Sequence, residues 1–201
     1  MIKGKTYTAD FKRKKEGKTN HRKRLKLLMS DRPRLVIRKS LKNIQANIIE
    51  YEAKGDKVLL SAHSRELERL GWKLNKANLP SAYLVGFMLG RRAKSRGIKN
   101  AVLDIGLKKA VKGGRFYAAL SGALDAGLEI PHNQKILPPK ERIHGSHISK
   151  YAIKLKNDES AFKKQFNNYI KSDINAERII DYFNEVKAKI EAENNGGKRS
   201  K

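Results

Sequence analysis

Between Lys3 and Lys39 the chain places 15 Lys or Arg residues, set against Asp10, Glu16 and Asp31. One fifth of the sequence thus supplies +12 (15 − 3) of a net charge of +26. Charge at this density repels itself and becomes tolerable where a polyanion replaces mobile counterions along the segment. The basic residues are interrupted by Tyr7, Phe11, Leu25, Leu27, Leu28 and Met29, too small an apolar set to bury a core over that length. Residues 1–24 therefore read as an extension that orders on binding, and residues 1–32 as a basic arm for nucleic acid. A solvated lysine-rich terminus without a specific partner is the plain alternative.

The rest of the sequence can fold. A length of 201 residues with 39% hydrophobic content suits one α/β body with extensions. No apolar run approaches the roughly 20 residues of a membrane span. Nor is the basic N-terminus followed by the apolar stretch of an export signal. The chain has no cysteine, which excludes disulfides and thiolate metal sites and fits a reducing, cytoplasmic setting.

Residues 34–38 form a β-rich run after Pro33, and residues 43–51 alternate, with Ile44, Ala46 and Ile48 on one face. A turn at Gly55-Asp56 leads to Val58, Leu59 and Leu60, so three strands form an antiparallel meander. Ser64 is placed to cap a short helix that stops at Gly71. Pro80 opens the next helix, whose face carries Tyr83, Leu84, Phe87 and Met88 and which ends at Gly97. Its basic exit, Arg91, Arg92, Lys94 and Arg96, suits a helix C-terminus by the dipole argument. Residues 101–105 then read as a strand reached by a crossover, followed by a small-residue helix through Leu120, Ala123 and Leu124. The expected class is α/β: a mixed sheet of meander plus crossover strand, with helices packed on it.

Beyond the core at residues 33–133, the prolines and Gly145 suggest a basic, irregular connection over residues 134–157. Residues 158–201 form a helical extension with a short disordered tail from Gly196. Between Asp158 and Asn195 there are 8 acidic against 6 basic residues, and Ile179, Ile180, Phe183, Val186 and Ile190 recur at helical spacing. This half is expected to pack on protein or lie on the outer face of a complex.

Chemistry is sparse. His144 and His147 are close in sequence but lack a third ligand unless His132 folds back, so no metal or other cofactor is expected. Asp104, alone at a strand end, suits capping or loop pinning better than acid/base work. The run Lys108, Lys109, Lys112, Gly113, Gly114, Arg115 lacks the spacing of a nucleotide-binding loop. It still suits phosphate: adjacent glycines let backbone N–H groups approach an anion, and the helix that follows presents its positive end. A flexible strand-to-helix turn is the alternative.

Several stretches together resemble the archaeal form of the large-subunit ribosomal protein family L-eighteen. They are His21-Arg22-Lys23-Arg24-Leu25, Pro33-Arg34-Leu35-Val36 with Arg38-Lys39-Ser40, Asp56 through Ser61-Ala62-His63-Ser64, and Leu70-Gly71-Trp72. Further on come Leu79-Pro80-Ser81-Ala82-Tyr83-Leu84, residues 101–107, and residues 122–128 running to Ile130-Pro131-His132-Asn133. They lie in order through about the first 150 residues. The resemblance implies an RNA-binding α/β fold that holds 5S rRNA in the central protuberance of a cytoplasmic ribosome. The arm would thread between 5S rRNA and the large-subunit rRNA, with neighbouring ribosomal proteins as further partners, and no membrane or small-molecule substrate is implied. Carried onto this sequence, Lys12, Arg13, Lys14, Lys15, Arg22, Lys23, Arg24, Arg34, Arg38, Gly113, Gly114 and Arg115 would be RNA contacts. Lys26, Lys108, Lys109 and Lys112 complete the basic candidates.

The physics of RNA agrees. Side chains cannot read the deep major groove of A-form RNA, so Lys and Arg contacts to phosphate and 2′-OH should dominate. Aromatic residues are 7% of the chain, which favours shape recognition over base stacking along a single strand. Two other classes compete. An RNA-processing or RNA-modifying enzyme would need an acid/base pair or metal set, and a general nucleic-acid condensing protein would not need so patterned a middle.

Overall fold

The computed structural model describes residues 8–196. Four strands, β1 (Arg34–Lys39), β2 (Ile44–Glu50), β3 (Lys57–His63) and β4 (Val102–Asp104), form a mixed sheet in the order β3-β2-β1-β4. β1, β2 and β3 are the expected antiparallel meander, and β4 returns to lie parallel to β1, Leu35 opposite Leu103. The alternation in β2 sets which face is covered: Ile44, Ala46 and Ile48 are fully buried, and Gln45 is exposed. On β1, Leu35 and Ile37 join that core, whereas Arg34, Val36 and Arg38 belong to the opposite face.

Helix α3 (Glu66–Arg69) follows the meander, and α4 (Leu79–Ser95) crosses the covered face of the sheet. Asn78 caps α4 by accepting from Ser81 N–H at 2.9 Å, and Pro80 sits in its first turn. Of the 17 residues of α4, 13 are buried, among them all of residues 79–90, so this part of the helix is covered all round and forms the centre of the molecule. Helix α5 (Arg115–Asp125) lies against it almost backbone to backbone. A Cβ added at Gly122 would stand 2.1 Å from Tyr83 O, and one at Gly86 1.8 Å from Ala119 O.

Ser64 has a different task from the cap expected of it. It is buried, and its hydroxyl accepts from Ile44 N–H at 3.1 Å and donates to Asn43 Oδ1 at 3.2 Å, closing the end of the β2–β3 pair. The Arg92 and Arg96 side chains also do more than complement a helix dipole. They donate to Ser61 O and Leu59 O, each at 2.7 Å, and so cover the outer edge of β3.

Residues 134–157 are not irregular. A 3₁₀ turn at Gln134–Ile136 precedes α6 (Lys140–His144) and α7 (Ser146–Leu155). Pro139 caps α6, and Gly145, at φ +90°, is the left-handed joint between the two helices. Helix α8 (Glu159–Lys171) then starts from Asp158, whose carboxylate accepts from Ser160 and Ala161 N–H.

The last helix, α9 (Ile179–Gly196), settles where the C-terminal apolar stripe goes. Ile179, Phe183, Val186 and Ile190 are buried in the main core of their own chain, with the Phe183 ring 5.4 Å from that of Tyr83 on α4. At roughly 1.5–3 kcal/mol per buried side chain, this stripe contributes on the order of 6–12 kcal/mol before the cost of ordering the helix. The stripe therefore needs no second protein. A smaller cluster of Ala152, Phe166 and Ala176 joins α7 to α8. The tail beyond Gly196 lies outside the described residues.

Candidate nucleic-acid interface

The end of the basic arm is helical. A short α1 (Lys12–Lys15) precedes α2 (His21–Leu28), which Asn20 caps by accepting from Lys23 N–H at 3.0 Å. Residues 1–7 lie outside the described part. Packing of an apolar face does not explain α2, since its Leu25 is 62% exposed and none of its residues is buried. Its anchor is Arg24, which forks onto Asp56 in the β2–β3 turn, Nη1 to Oδ2 at 2.9 Å and Nη2 to Oδ1 at 2.7 Å.

Asp56 is shared. Arg34 donates Nη2 to Asp56 Oδ2 at 2.7 Å and Nη1 to Asp104 Oδ2 at 2.8 Å. The other oxygen of Asp104 accepts from Gly106 N–H at 2.7 Å, pinning the turn after β4. Lys23 Nζ donates to Gly106 O at 3.2 Å, and Arg38 Nη1 to Asp104 O at 3.2 Å. Gly106 has φ +64°, and a Cβ there would lie 3.2 Å from the Arg38 guanidinium. A network of two carboxylates and two arginines thus joins arm, meander and crossover strand. Burial alone would raise the Asp56 carboxyl, but hydrogen bonds from Arg24 and Arg34 outweigh it and hold the group below its ordinary value.

This network corrects one expectation. The Arg34 side chain is 4% exposed with both Nη atoms on carboxylates, so it organises the surface from beneath and does not itself meet phosphate. By contrast Lys12, Arg13, Lys14, Lys15, Arg22, Lys23, Lys26, Arg38, Lys108, Lys109 and Lys112 are exposed. Within this set Lys14 pairs with Asp10, and Arg13 donates to Thr19 Oγ1 at 2.9 Å. Arg13, Lys23, Arg24, Arg34 and Arg38 share one cleft of about 170 Å³ between arm and sheet.

The Gly113-Gly114 turn differs from the expected cradle of free amides. Gly113 N–H donates to Ile136 O at 2.9 Å and Gly114 N–H to Val111 O at 3.0 Å, so both amides serve the turn. The anion-attracting charge near it comes from side chains instead. Arg115 donates to Ala77 O at 2.7 Å, and Lys39, at the end of β1, lies 4.8 Å over the Phe116 ring. Burial first, then the charges of Arg115 and Lys108, lower the pKa of Lys39. Among the described residues none of these three cations has a carboxylate partner. Lys39 went unnoticed as a site residue. Its signal was strand alternation, which turns it away from Arg38 toward α5.

The histidines do not converge. His144 packs on the Phe183 ring at 5.0 Å, and His132 Nδ1 lies 2.7 Å from Ile130 O. Among the described residues no group of three His, Cys, Asp or Glu could hold a metal ion, and no helix is long and apolar enough to cross a membrane.

An α/β body carries a docked cationic arm, with Asp56 and Asp104 committed to arginines, and so presents a cationic surface of the kind that suits polyanions. The family model described as "Ribosomal large subunit proteins 60S L5, and 50S L18" matches residues 5–99 and 94–133. The chain belongs to that family, a structural rather than an enzymatic one, and is a protein of the large ribosomal subunit, whose setting is the ribosome and translation. Its partners are accordingly ribosomal RNA and ribosomal proteins. The C-terminal helices lie beyond the matched residues but share the core with them.

Proposed function

We propose that this protein binds 5S rRNA and helps attach it to the large-subunit rRNA in the central protuberance of the cytoplasmic ribosome. The attachment runs through Lys and Arg contacts to phosphate. The observation that carries the reading is the cationic surface built around Arg24, Asp56, Arg34 and Asp104, where paired charges fix a framework and exposed ones surround it. Residues of α1 and α2, Arg38, and the loop of Lys108, Lys109 and Lys112 face phosphate. Gly113 and Gly114 shape the turn that presents Arg115. The arm is held at its C-terminal end by the Arg24–Asp56 fork, and the segment ahead of that fork is the part assigned to a second RNA element.

The test is competition among 5S rRNA, tRNA and duplex DNA for the purified chain across a salt titration. 5S rRNA should win by orders of magnitude at physiological salt, and removal of residues 1–19, ahead of the Asn20 cap, should weaken binding and lower the salt slope. Neutralising six phosphates makes affinity fall by about 10³ between 50 and 200 mM salt. Equal binding of all three polyanions, released together as salt rises, would overturn the reading.

A further inference from the structure

On the far side of the Gly113-Gly114 turn an open cavity of about 510 Å³ lies between residues 75–78, α7 and α8. Neither the arm nor the Asp56 network reaches it. Its wall is aromatic: the Tyr151 and Phe166 ring centroids are 6.3 Å apart, and those of Phe166 and Tyr169 are 5.8 Å apart. Tyr169 is held in place as its hydroxyl accepts from Asn75 N–H at 3.1 Å. Tyr151 is 46% exposed although it stands in this wall.

The rim is polar and carries no acid. Asn78 commits its Oδ1 to the α4 cap, which fixes the amide, and its Nδ2 is buried without a partner. Asn75, Gln165 and Asn168 add amides, and no Asp or Glu lines the cavity. Its cation is Arg115, beside Lys39 and Lys108 and without a carboxylate of its own. Aromatic planes, side-chain amides suited to a base edge and an adjoining anion site together describe a nucleotide.

We propose that this cavity holds one unpaired nucleotide of the bound RNA, its base stacked on Tyr151 and its phosphate on Arg115. This rests on the RNA-binding reading above. Base and phosphate contacts thereby divide between two places: the arm and sheet grip the backbone, and α7, α8 and the α4 cap hold one base out of its stack. An acidic peptide would satisfy Arg115 but leave the aromatic wall unused.

The test uses the full chain. Binding of nucleoside monophosphates is compared with ribose phosphate by ligand-observed NMR for the protein itself, Tyr151→Ala, Tyr151→Phe and Arg115→Gln. In parallel, 5S rRNA affinity is measured over a salt series. Monophosphates should bind better than ribose phosphate, and Tyr151→Ala should weaken them roughly 5- to 150-fold, the worth of one stacked base. Tyr151→Phe should retain binding, and Arg115→Gln should reduce the preference for phosphorylated over plain nucleosides. Tyr151→Ala should also weaken 5S rRNA without changing the salt slope. Monophosphates binding no better than ribose phosphate, insensitivity to Tyr151→Ala, or displacement of the nucleotide by an acidic peptide at lower concentration would each overturn the proposal. Tight, salt-dependent 5S rRNA binding alongside those failures would leave the ribosomal reading standing and remove the cavity alone. Nucleotide binding that depends on Tyr151, in a chain indifferent to 5S rRNA, would do the reverse.

Discussion

Asp56→Asn removes one negative charge from beneath two arginines while keeping the side chain's shape, and its effect is calculable from the geometry. The Arg24–Asp56 fork is partly exposed, at 33% and 24% for the two side chains, so its charge contributes about 0.5–1 kcal/mol. Arg34 is 4% exposed and keeps Asp104 but loses a charged acceptor, a bond of about 1.5–3 kcal/mol of which the amide oxygen recovers a part. The sum is about 2 kcal/mol, or a fall of roughly 4–8 °C in Tm for a chain of this size. The pH dependence has a definite sign. The folded-state pKa of Asp56 lies below the ordinary value of 3.8, so the carboxylate's contribution is complete above 3.8 and is lost as pH falls through the folded value. Urea unfolding followed by circular dichroism should show the protein ahead of its variant by a constant margin at neutral pH, closing below 3.8. The same substitution should release α2 and speed proteolysis near residues 20–29. A margin under about 0.5 kcal/mol at pH 7, against the 1.5–3 kcal/mol of a bond to a charged group, would refute the reasoning. So would a margin that persists undiminished in acid.

Three further outcomes follow from packing and charge. Gly122→Ala drives a methyl to 2.1 Å from Tyr83 O, so it should destabilise by roughly 1–3 kcal/mol in urea unfolding despite about 1 kcal/mol of gained helix propensity. Replacing Lys108, Lys109 and Lys112 together by Gln should lower the salt slope of rRNA binding by about 2–3, at 0.7–0.9 per phosphate contact. Because all three side chains are exposed, the thermal midpoint should stay where it was. Arg92→Ala with Arg96→Ala uncovers Ser61 O and Leu59 O on the edge of β3, and sedimentation should reveal self-association that the parent chain lacks. A variant that sediments as the parent does would count against edge protection.

Much of the scaffold was legible because its signals are local. Alternation in β2 and the apolar run before β4 placed the strands, and Pro80 and Gly97 bracketed α4. What escaped depends on contacts across the chain. Pro139 and Gly145 read as signs of a loop, yet each marks a helix end, and a five-residue helix such as α6 shows too few turns for a periodic pattern. Helix α2 has a weak apolar face and is anchored by Asp56, 32 residues away. At the candidate site, composition singled out the lysines of the arm and loop as candidate RNA contacts, and the fold leaves them exposed. It could not separate Arg34 from its neighbours, because only the folded chain brings Asp56 and Asp104 to the same guanidinium. The aromatic wall at Tyr151, Phe166 and Tyr169 was hidden for the same reason: its residues come from two helices, one of them unforeseen.

The Arg34–Asp104 pair spans 70 positions of sequence, and α9 closes the core only near the chain's end. During synthesis the arm emerges ahead of β4, as a polycation without its docking surface. Its docking surface is incomplete until β4 has been translated and paired with β1. At about 5–20 residues per second, the interval between arm and docking surface lasts several seconds. Timing is thus written into the strand order: the nascent arm can meet RNA indiscriminately, but the arrangement that orients it is assembled only after the crossover strand arrives.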